Sequence, residues 1–363
     1  MKRRGICYDV GRELLGQDWR PDFDPRLVHR ELEIIKNDLC CNTVRLCGKD
    51  IDRLMLAARD ALHQGLEVWI SPELYDHNPQ ETLDHLLAAA TEAEQLRGQW
   101  PEKVILTIGS ELTIFMKGIL AGDTVLKRLM NPINMLKLKY SGGHNKPLNA
   151  YLAQAAREVR KVFHGAITYA SIPAEKVDWG LFDIVCVDYY RGKQNRNDYG
   201  ERLKRYFTYG KPVVITEFGC CTYKGAEDKG GRAFMIFDRN DPNRLKPGYV
   251  RDETLQARED VDMLAALEAA GVDGAFVFTF TMPIMKHSND PLRDLDKASY
   301  SLVKSYADDT RGTAYSDIAW EPKEAFRAVA KAYKEMMDAK VGTTGGYRTR
   351  NNSYDDKGEK LQK

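Results

Sequence analysis

Two glutamates stand at the ends of apolar, β-branched runs. Pro212-Val213-Val214-Ile215-Thr216-Glu217-Phe218-Gly219 closes on Glu217, and Val104-Ile105-Leu106-Thr107-Ile108-Gly109-Ser110-Glu111 closes on Glu111. Runs apolar at consecutive positions are what strands covered on both faces require. Two carboxyl groups at the C-terminal ends of parallel strands can share one acid/base task, with one giving a proton to a leaving oxygen while the other attacks carbon or activates water. Glycosidic bond chemistry uses such a pair. A separation of ~5 to 5.5 Å suits retention of configuration, and ~6.5 to 9.5 Å suits inversion.

The elements that must bring these acids together can be read along the chain. Eight strands are predicted: Gly5 to Tyr8, Thr43 to Leu46, Glu67 to Ser71, Val104 to Gly109, Ala166 to Ala170, Ile184 to Asp188, Pro212 to Thr216 and Gly274 to Thr279. Amphipathic segments lie between them. Val28, Leu32, Ile35 and Leu39 share one helical face, and Asp252 to Ala270 repeats the pattern before stopping at Gly271. A last helix is predicted from Pro322, as its first-turn proline, to Met337. Alternating strands and about eight helices predict an α/β fold, a single (β/α)8 TIM barrel spanning 1–340, with long loops after strands four and eight. The polar segment 341–363 is predicted to be a disordered C-terminal tail. Strands four and seven then place Glu111 and Glu217 on the same rim.

Composition narrows the partners. The 363 residues carry 54 basic and 53 acidic side chains, a formal charge of +1, so no global field recruits nucleic acid or an anionic membrane. The basic start Met1 to Arg4 is not followed by the apolar stretch of a signal peptide, and no run approaches the ~18 apolar residues of a membrane span. The expectation is a cytoplasmic protein with a small-molecule partner. Seven cysteines without a CxxC pair predict reduced, buried thiols, and Cys220 and Cys221 are read as small packing groups. Neither a phosphate-binding glycine loop nor a HExxH run occurs, and no cofactor or metal is expected.

With Thr216-Glu217-Phe218-Gly219 and Glu111 in view, the chain resembles clan A of the glycoside hydrolases, the retaining (β/α)8 enzymes, from Gly5 to about Tyr333. The resemblance implies Glu217 as nucleophile and Glu111 as acid/base. An asparagine that contacts the sugar 2-hydroxyl usually precedes the acid/base; here Ser110 stands there, which leaves room for a deoxy, substituted or non-sugar substrate. Arg45 matches the arginine that holds the nucleophile ionised, and Tyr189 sits where a tyrosine or histidine often touches it. The usual tryptophan after strand eight is replaced by Phe278-Thr279-Phe280, with Phe280 as the stacking candidate.

Tyr8 and Asp9 after strand one, Glu73 and Tyr75 after strand three, Trp179 before strand six and Tyr223 after strand seven could line a sugar pocket, ring faces covering C–H groups and carboxylates taking hydroxyls. Each residue also has a plain structural role available: a strand-end glutamate or Arg45 can tie strands to loops, loop residues His144 and His287 can be solvated, and the basic stretch Lys127 to Lys139 can be a solvated helix face. Three functions follow: a retaining hydrolase of a small β-linked glycoside, a related barrel that performs transglycosylation or rearranges a natural-product intermediate, and a catalytically silent barrel that binds a sugar or a protein.

Overall fold

The computed structural model describes residues 1–344 apart from positions 15, 239, 308 and 309. Eight parallel strands close a barrel: β1 (Arg3–Gly11), β2 (Thr43–Gly48), β3 (Glu67–Pro72), β4 (Val104–Ser110), β5 (Ala166–Ser171), β6 (Val185–Asp188), β7 (Val213–Phe218) and β8 (Gly274–Val277). Each pairs with its sequence neighbours, and β8 returns to β1 through Arg3 opposite Gly274 and Ile6 opposite Val277. Val44, Val68, Leu106, Val185 and Ile215 are fully buried, because helices cover the outside of the sheet while side chains fill the inside. All eight predicted strands are present, within a few residues at their ends.

Around the barrel run α1 (Pro25–Asn37), α2 (Ile51–His63), α3 (Pro79–Gln99), three short helices α4 (Leu112–Phe115), α5 (Val125–Met130) and α6 (Pro132–Leu136), then α7 (Asn145–Val159), α8 (Lys204–Phe207), α9 (Glu253–Ala269) and α10 (Glu324–Thr344). Local chemistry sets the helix ends. Asp24 caps α1 ahead of Pro25, Asn78 and Glu81 form a reciprocal capping box on α3, and Asp252 accepts from the Leu255 amide at 2.9 Å to start α9. Gly271, at φ +83°, ends α9 as expected.

Three expectations change. The connection after β5 contains only a single 3-10 turn, Trp179–Leu181, and the one after β6 only short turns and the four-residue α8, so the outer ring has six long helices among the described residues rather than eight. Pro322 closes a short strand, Trp320–Pro322, and α10 starts after it. That helix continues to Thr344, past the boundary drawn at 340, while 345–363 lie outside the described residues. The N-terminal end of the barrel is tied by Arg3, which bonds Glu67 at 2.5 Å and also pairs with Asp273. No helix among the described residues is long and apolar enough to cross a membrane. None of the seven cysteines is paired, and all but Cys40 are buried.

Candidate active site

The ends of the strands depart from regular pairing where the acids sit. Along β6 and β7 the register runs Val187 opposite Ile215 and then Asp188 opposite Glu217, so β7 carries one extra residue. Between β4 and β5, Thr107 faces Thr168 and Ser110 faces Ala170, again with one residue extra on the strand that ends in the acid. Such bulges bend a strand and re-aim the side chain beyond them. Gly109 makes the second possible: its φ of +154° suits glycine, and an added Cβ would lie 2.6 Å from Leu112 Cδ1. Glu111 then takes a left-handed conformation, φ +46° and ψ +38°, unusual for a residue with a side chain. It is held there by its amide donating to the Ala170 carbonyl at 2.9 Å and its carbonyl accepting from the Ile114 amide at 2.8 Å.

The result is one cluster of acids. Single carboxylate oxygens of Glu111, Asp188 and Glu217 all lie within 4.8 Å of one another. Glu217 is clamped: Arg45 Nη1 donates to its Oε1 at 2.8 Å, Arg12 Nη2 approaches the same oxygen at 3.5 Å, and the Tyr190 hydroxyl donates to Oε2 at 3.0 Å. Both guanidiniums are themselves anchored on Glu73. Arg12 Nε lies 2.8 Å from Glu73 Oε2, Arg45 Nη2 donates to Oε1 at 3.3 Å, and Ser71 Oγ donates to Oε1 at 3.2 Å. Burial acts to raise Glu73, yet Arg12 and Arg45 outweigh it and hold its carboxyl below the usual range.

Glu111 has the opposite environment. Burial and then the carboxylates of Asp188, Glu217 and Glu175 push it well above an ordinary glutamate, with Arg45 only partly opposing them. Asp188 is likewise pushed up by burial and by Glu217. Its Oδ2 accepts from Ser110 Oγ at 3.4 Å, and its Oδ1 has no hydrogen-bond partner, the nearest cation being Arg45 Nη1 at 4.0 Å. Behind Glu111, buried Glu175 accepts from the Tyr169 hydroxyl at 2.9 Å and the Thr113 amide at 3.2 Å, and burial raises it to about 7. The three acids have the spacing of a cation site, but two guanidiniums already crowd Glu217 and Glu111 favours its neutral form, so the donor set suits proton transfer better than a divalent ion.

Of the residues singled out from sequence, Glu111, Glu217, Arg45, Glu73 and Ser110 come together. Asp9 also belongs here: it is buried, its Oδ1 accepts from the amides of Gly11 at 2.7 Å and Arg12 at 2.9 Å, and it thereby shapes the turn that delivers Arg12. Four others lie elsewhere. Tyr8 points toward the helix layer, where it meets Glu31 of α1 and the Arg20 guanidinium at 2.7 Å. Alternation along β1 sends it opposite to Cys7 and Asp9. Tyr189 stacks on Tyr199 and donates to the Tyr199 carbonyl at 3.2 Å; the residue touching Glu217 is its neighbour Tyr190. Tyr223 donates to the Ala233 carbonyl at 2.7 Å and packs on Tyr249. Phe280 is buried among Tyr8, Trp320 and Phe326, while Phe278 lies under Arg12 at 5.1 Å and edge-on to Tyr190.

Tyr75 hydrogen-bonds Glu73 and stacks on Phe115, whereas Trp179 packs edge-on against Phe182 in the core. His144 is buried, with Nε2 at 2.9 Å from the Ala174 carbonyl, rather than solvated, and His287 pairs with Asp294 at 2.9 Å in a network with Arg251. Sequence reasoning missed Arg12, Asp188, Tyr190, Phe278 and Glu175. For Arg12 the signal was its position just past the end of β1. For Asp188 and Tyr190 it was the run Val187-Asp188-Tyr189-Tyr190, in which strand alternation could have been tested both ways.

No protein-family model matches the chain, and no curated protein matches it. Solved structures do. A GH113 β-1,4-mannanase aligns over 92% of this chain and 98% of its own, with 13% identity and a TM-score of 0.57. The GH113 β-mannanase AaManA from Alicyclobacillus acidocaldarius, in complex with ManMIm, aligns over 92% and 97% with 17% identity and the same TM-score. What these structures share with this chain is the fold, a closed (β/α)8 barrel. The β-glycosidase BGL167 aligns over 92% of this chain and 96% of its own, at 12% identity and a TM-score of 0.52.

Proposed function

We propose that this barrel is a retaining glycoside hydrolase acting on a small β-linked glycoside by double displacement. The observation that carries the reading is the approach of Glu111 and Glu217 oxygens to within 4.8 Å, which is compatible with the ~5 to 5.5 Å between carboxyl groups of a retaining enzyme. The two environments differ in the sense the chemistry needs. Glu217 sits against Arg45 and Arg12, while Glu111 is pushed toward its protonated form.

In the first step a Glu217 oxygen bonds to the anomeric carbon as the bond from that carbon to the leaving oxygen breaks, and the Glu111 proton moves to the departing oxygen. In the second, Glu111 takes a proton from water, the hydroxyl bonds to the anomeric carbon, and Glu217 leaves as carboxylate. Tyr190 and Arg45 hold Glu217 in line during both. The β-linkage draws support from neighbours described as β-mannanase and β-glycosidase.

A second reading, transfer of the glycosyl group to an acceptor other than water or rearrangement of an intermediate, is favoured by one feature. Ser110, which donates to the buried Asp188, stands where the resemblance leads one to expect an asparagine. A panel of aryl β-glycosides, followed by trapping with the matching 2-deoxy-2-fluoro glycoside and peptide mapping, tests the proposal. Label on Glu217 supports it, and label on another residue sinks it. Product analysis by mass spectrometry separates hydrolysis from transfer. Unaltered ligand binding by Glu111→Ala and Glu217→Ala, with no turnover by the unsubstituted protein, would instead point to a silent binding barrel.

A further inference from the structure

The segment between β4 and α7 buries Leu112, Met116, Leu120 and Val125 yet leaves a second set of large apolar side chains in solvent. Leu126, Met130, Ile133, Leu136 and Tyr140 are between 52% and 70% exposed, and they make up five of the eleven large hydrophobic residues exposed among the described residues. They recur at spacings of four, three, three and four residues through α5, α6 and the π-helical turn Lys137–Ser141, with the extended Asn131 between α5 and α6.

The opposite side is pinned by polar groups. Arg128, fully buried, donates from Nε to the Ile114 carbonyl at 2.6 Å and from Nη1 to the Gly122 carbonyl at 2.9 Å, and pairs with Asp76. Asn134, also fully buried, donates to the carbonyls of Ala121 at 2.8 Å and Arg128 at 3.0 Å. Polar anchoring of this kind holds the segment in place while leaving five large apolar side chains close in sequence uncovered, and such clusters of exposed apolar surface mark interaction sites.

The surrounding charge selects the partner. Residues 117–146 contain Lys117, Lys127, Arg128, Lys137, Lys139 and Lys146 against the single acid Asp123. Lys127, Lys137 and Lys139 are exposed beside the apolar side chains. Leucine, isoleucine, methionine and tyrosine in a row rimmed by lysines is the composition of an element that lies in the interface of an anionic bilayer. We propose that the face formed by Leu126, Met130, Ile133, Leu136 and Tyr140 seats this barrel on an anionic membrane surface, with Lys127, Lys137 and Lys139 against the headgroups. A chain of formal charge +1 gives no such expectation as a whole; the attraction is local. The segment leaves β4 directly after Glu111, so docking would hold the same end of the barrel that carries the acids near the lipid.

The test uses the full chain and phosphatidylcholine vesicles with and without phosphatidylglycerol, read by flotation. Binding to the mixed vesicles, at least tenfold weaker to phosphatidylcholine alone and weakened by salt, is expected. Reversing Lys127, Lys137 and Lys139 to glutamate should weaken binding on the order of a hundredfold. Replacing Leu126, Met130, Ile133 and Leu136 with serine should abolish it. All of these side chains are exposed, so far-UV circular dichroism and Tm should not change. A Tyr140→Trp variant should show a blue-shifted emission on mixed vesicles only. The proposal is overturned by equal binding to both vesicle types, by absence of binding, by serine variants that bind like the parent, or by a concentration-dependent dimer that the serine substitutions disperse, which would make a second copy the occupant.

Discussion

Replacing Tyr190 with phenylalanine is the most discriminating perturbation of the site. The substitution removes one oxygen and nothing else, and that hydroxyl donates to Glu217 Oε2 at 3.0 Å. A hydrogen bond to a charged group contributes about 1.5 to 3 kcal/mol, or about 10- to 150-fold in rate when it acts in a transition state. When Glu217 is bonded to the sugar its charge is gone and the bond to Tyr190 is weak; as the intermediate breaks down, the carboxylate returns and the bond strengthens. The loss therefore falls mainly on release of the sugar, so kcat should drop by that 10- to 150-fold range while KM falls with it and kcat/KM changes less. The assay is steady-state turnover of the best aryl β-glycoside, with pre-steady-state release of the aryl group to detect a burst. Tyr189→Phe is the control, because Tyr189 bonds the Tyr199 carbonyl and stacks on that ring, away from Glu217. A Tyr190→Phe enzyme with unchanged kcat, or a larger loss in Tyr189→Phe, would refute the assigned geometry.

Glu111 is raised by burial and by the charge of Asp188, and its protonated form is the one that gives up a proton, so activity should fall as pH rises through its titration. Asp188→Asn removes one of the raising charges, and the basic limb of the kcat/KM profile should move to lower pH. An unmoved or upward-moving limb would show that Glu111 is not the acid. Glu175 carries a folded value of about 7 against an ordinary 4.5, so the folded state binds its proton more tightly and stability falls as pH rises from about 4.5 to 7. The total is about 3 kcal/mol. Urea unfolding across that window should show the slope, and Glu175→Gln should flatten it. Arg128→Ala strips the loop after β4 of its buried anchor and should cost about 3 to 5 kcal/mol, measured as a lowered urea midpoint. A change below about 1 kcal/mol would mean the segment is held by other contacts.

The fold and the principal pair of acids were legible from the chain because both follow from local rules. Consecutive apolar residues with β-branching announce a strand buried on both faces, and the closed ring of eight then puts the ends of strands four and seven on one rim whatever separates them in sequence. Glu111 and Glu217 were singled out this way, and Arg45 by the family resemblance. What failed depended on which side of a strand a side chain leaves by. Tyr8 within β1 meets Glu31 of α1, Phe280 beyond β8 packs on Trp320, and Tyr190 rather than Tyr189 reaches Glu217. Bulges in β4 and β7 alter the alternation just where the acids stand, and a bulge reflects pairing with neighbours that no local pattern contains. The protonation preferences likewise arise from groups far apart in sequence: Arg12 and Arg45 converge on Glu73 and Glu217, while Asp188 and Glu175 crowd Glu111. Sequence alone determined the barrel and the presence of two rim carboxylates, since hydrophobic periodicity and strand order encode them. Only the tertiary structure decided what surrounds each carboxylate, Asp188 and Glu175 near Glu111 and two guanidiniums against Glu217, because that depends on distances between strands that meet when the ring closes.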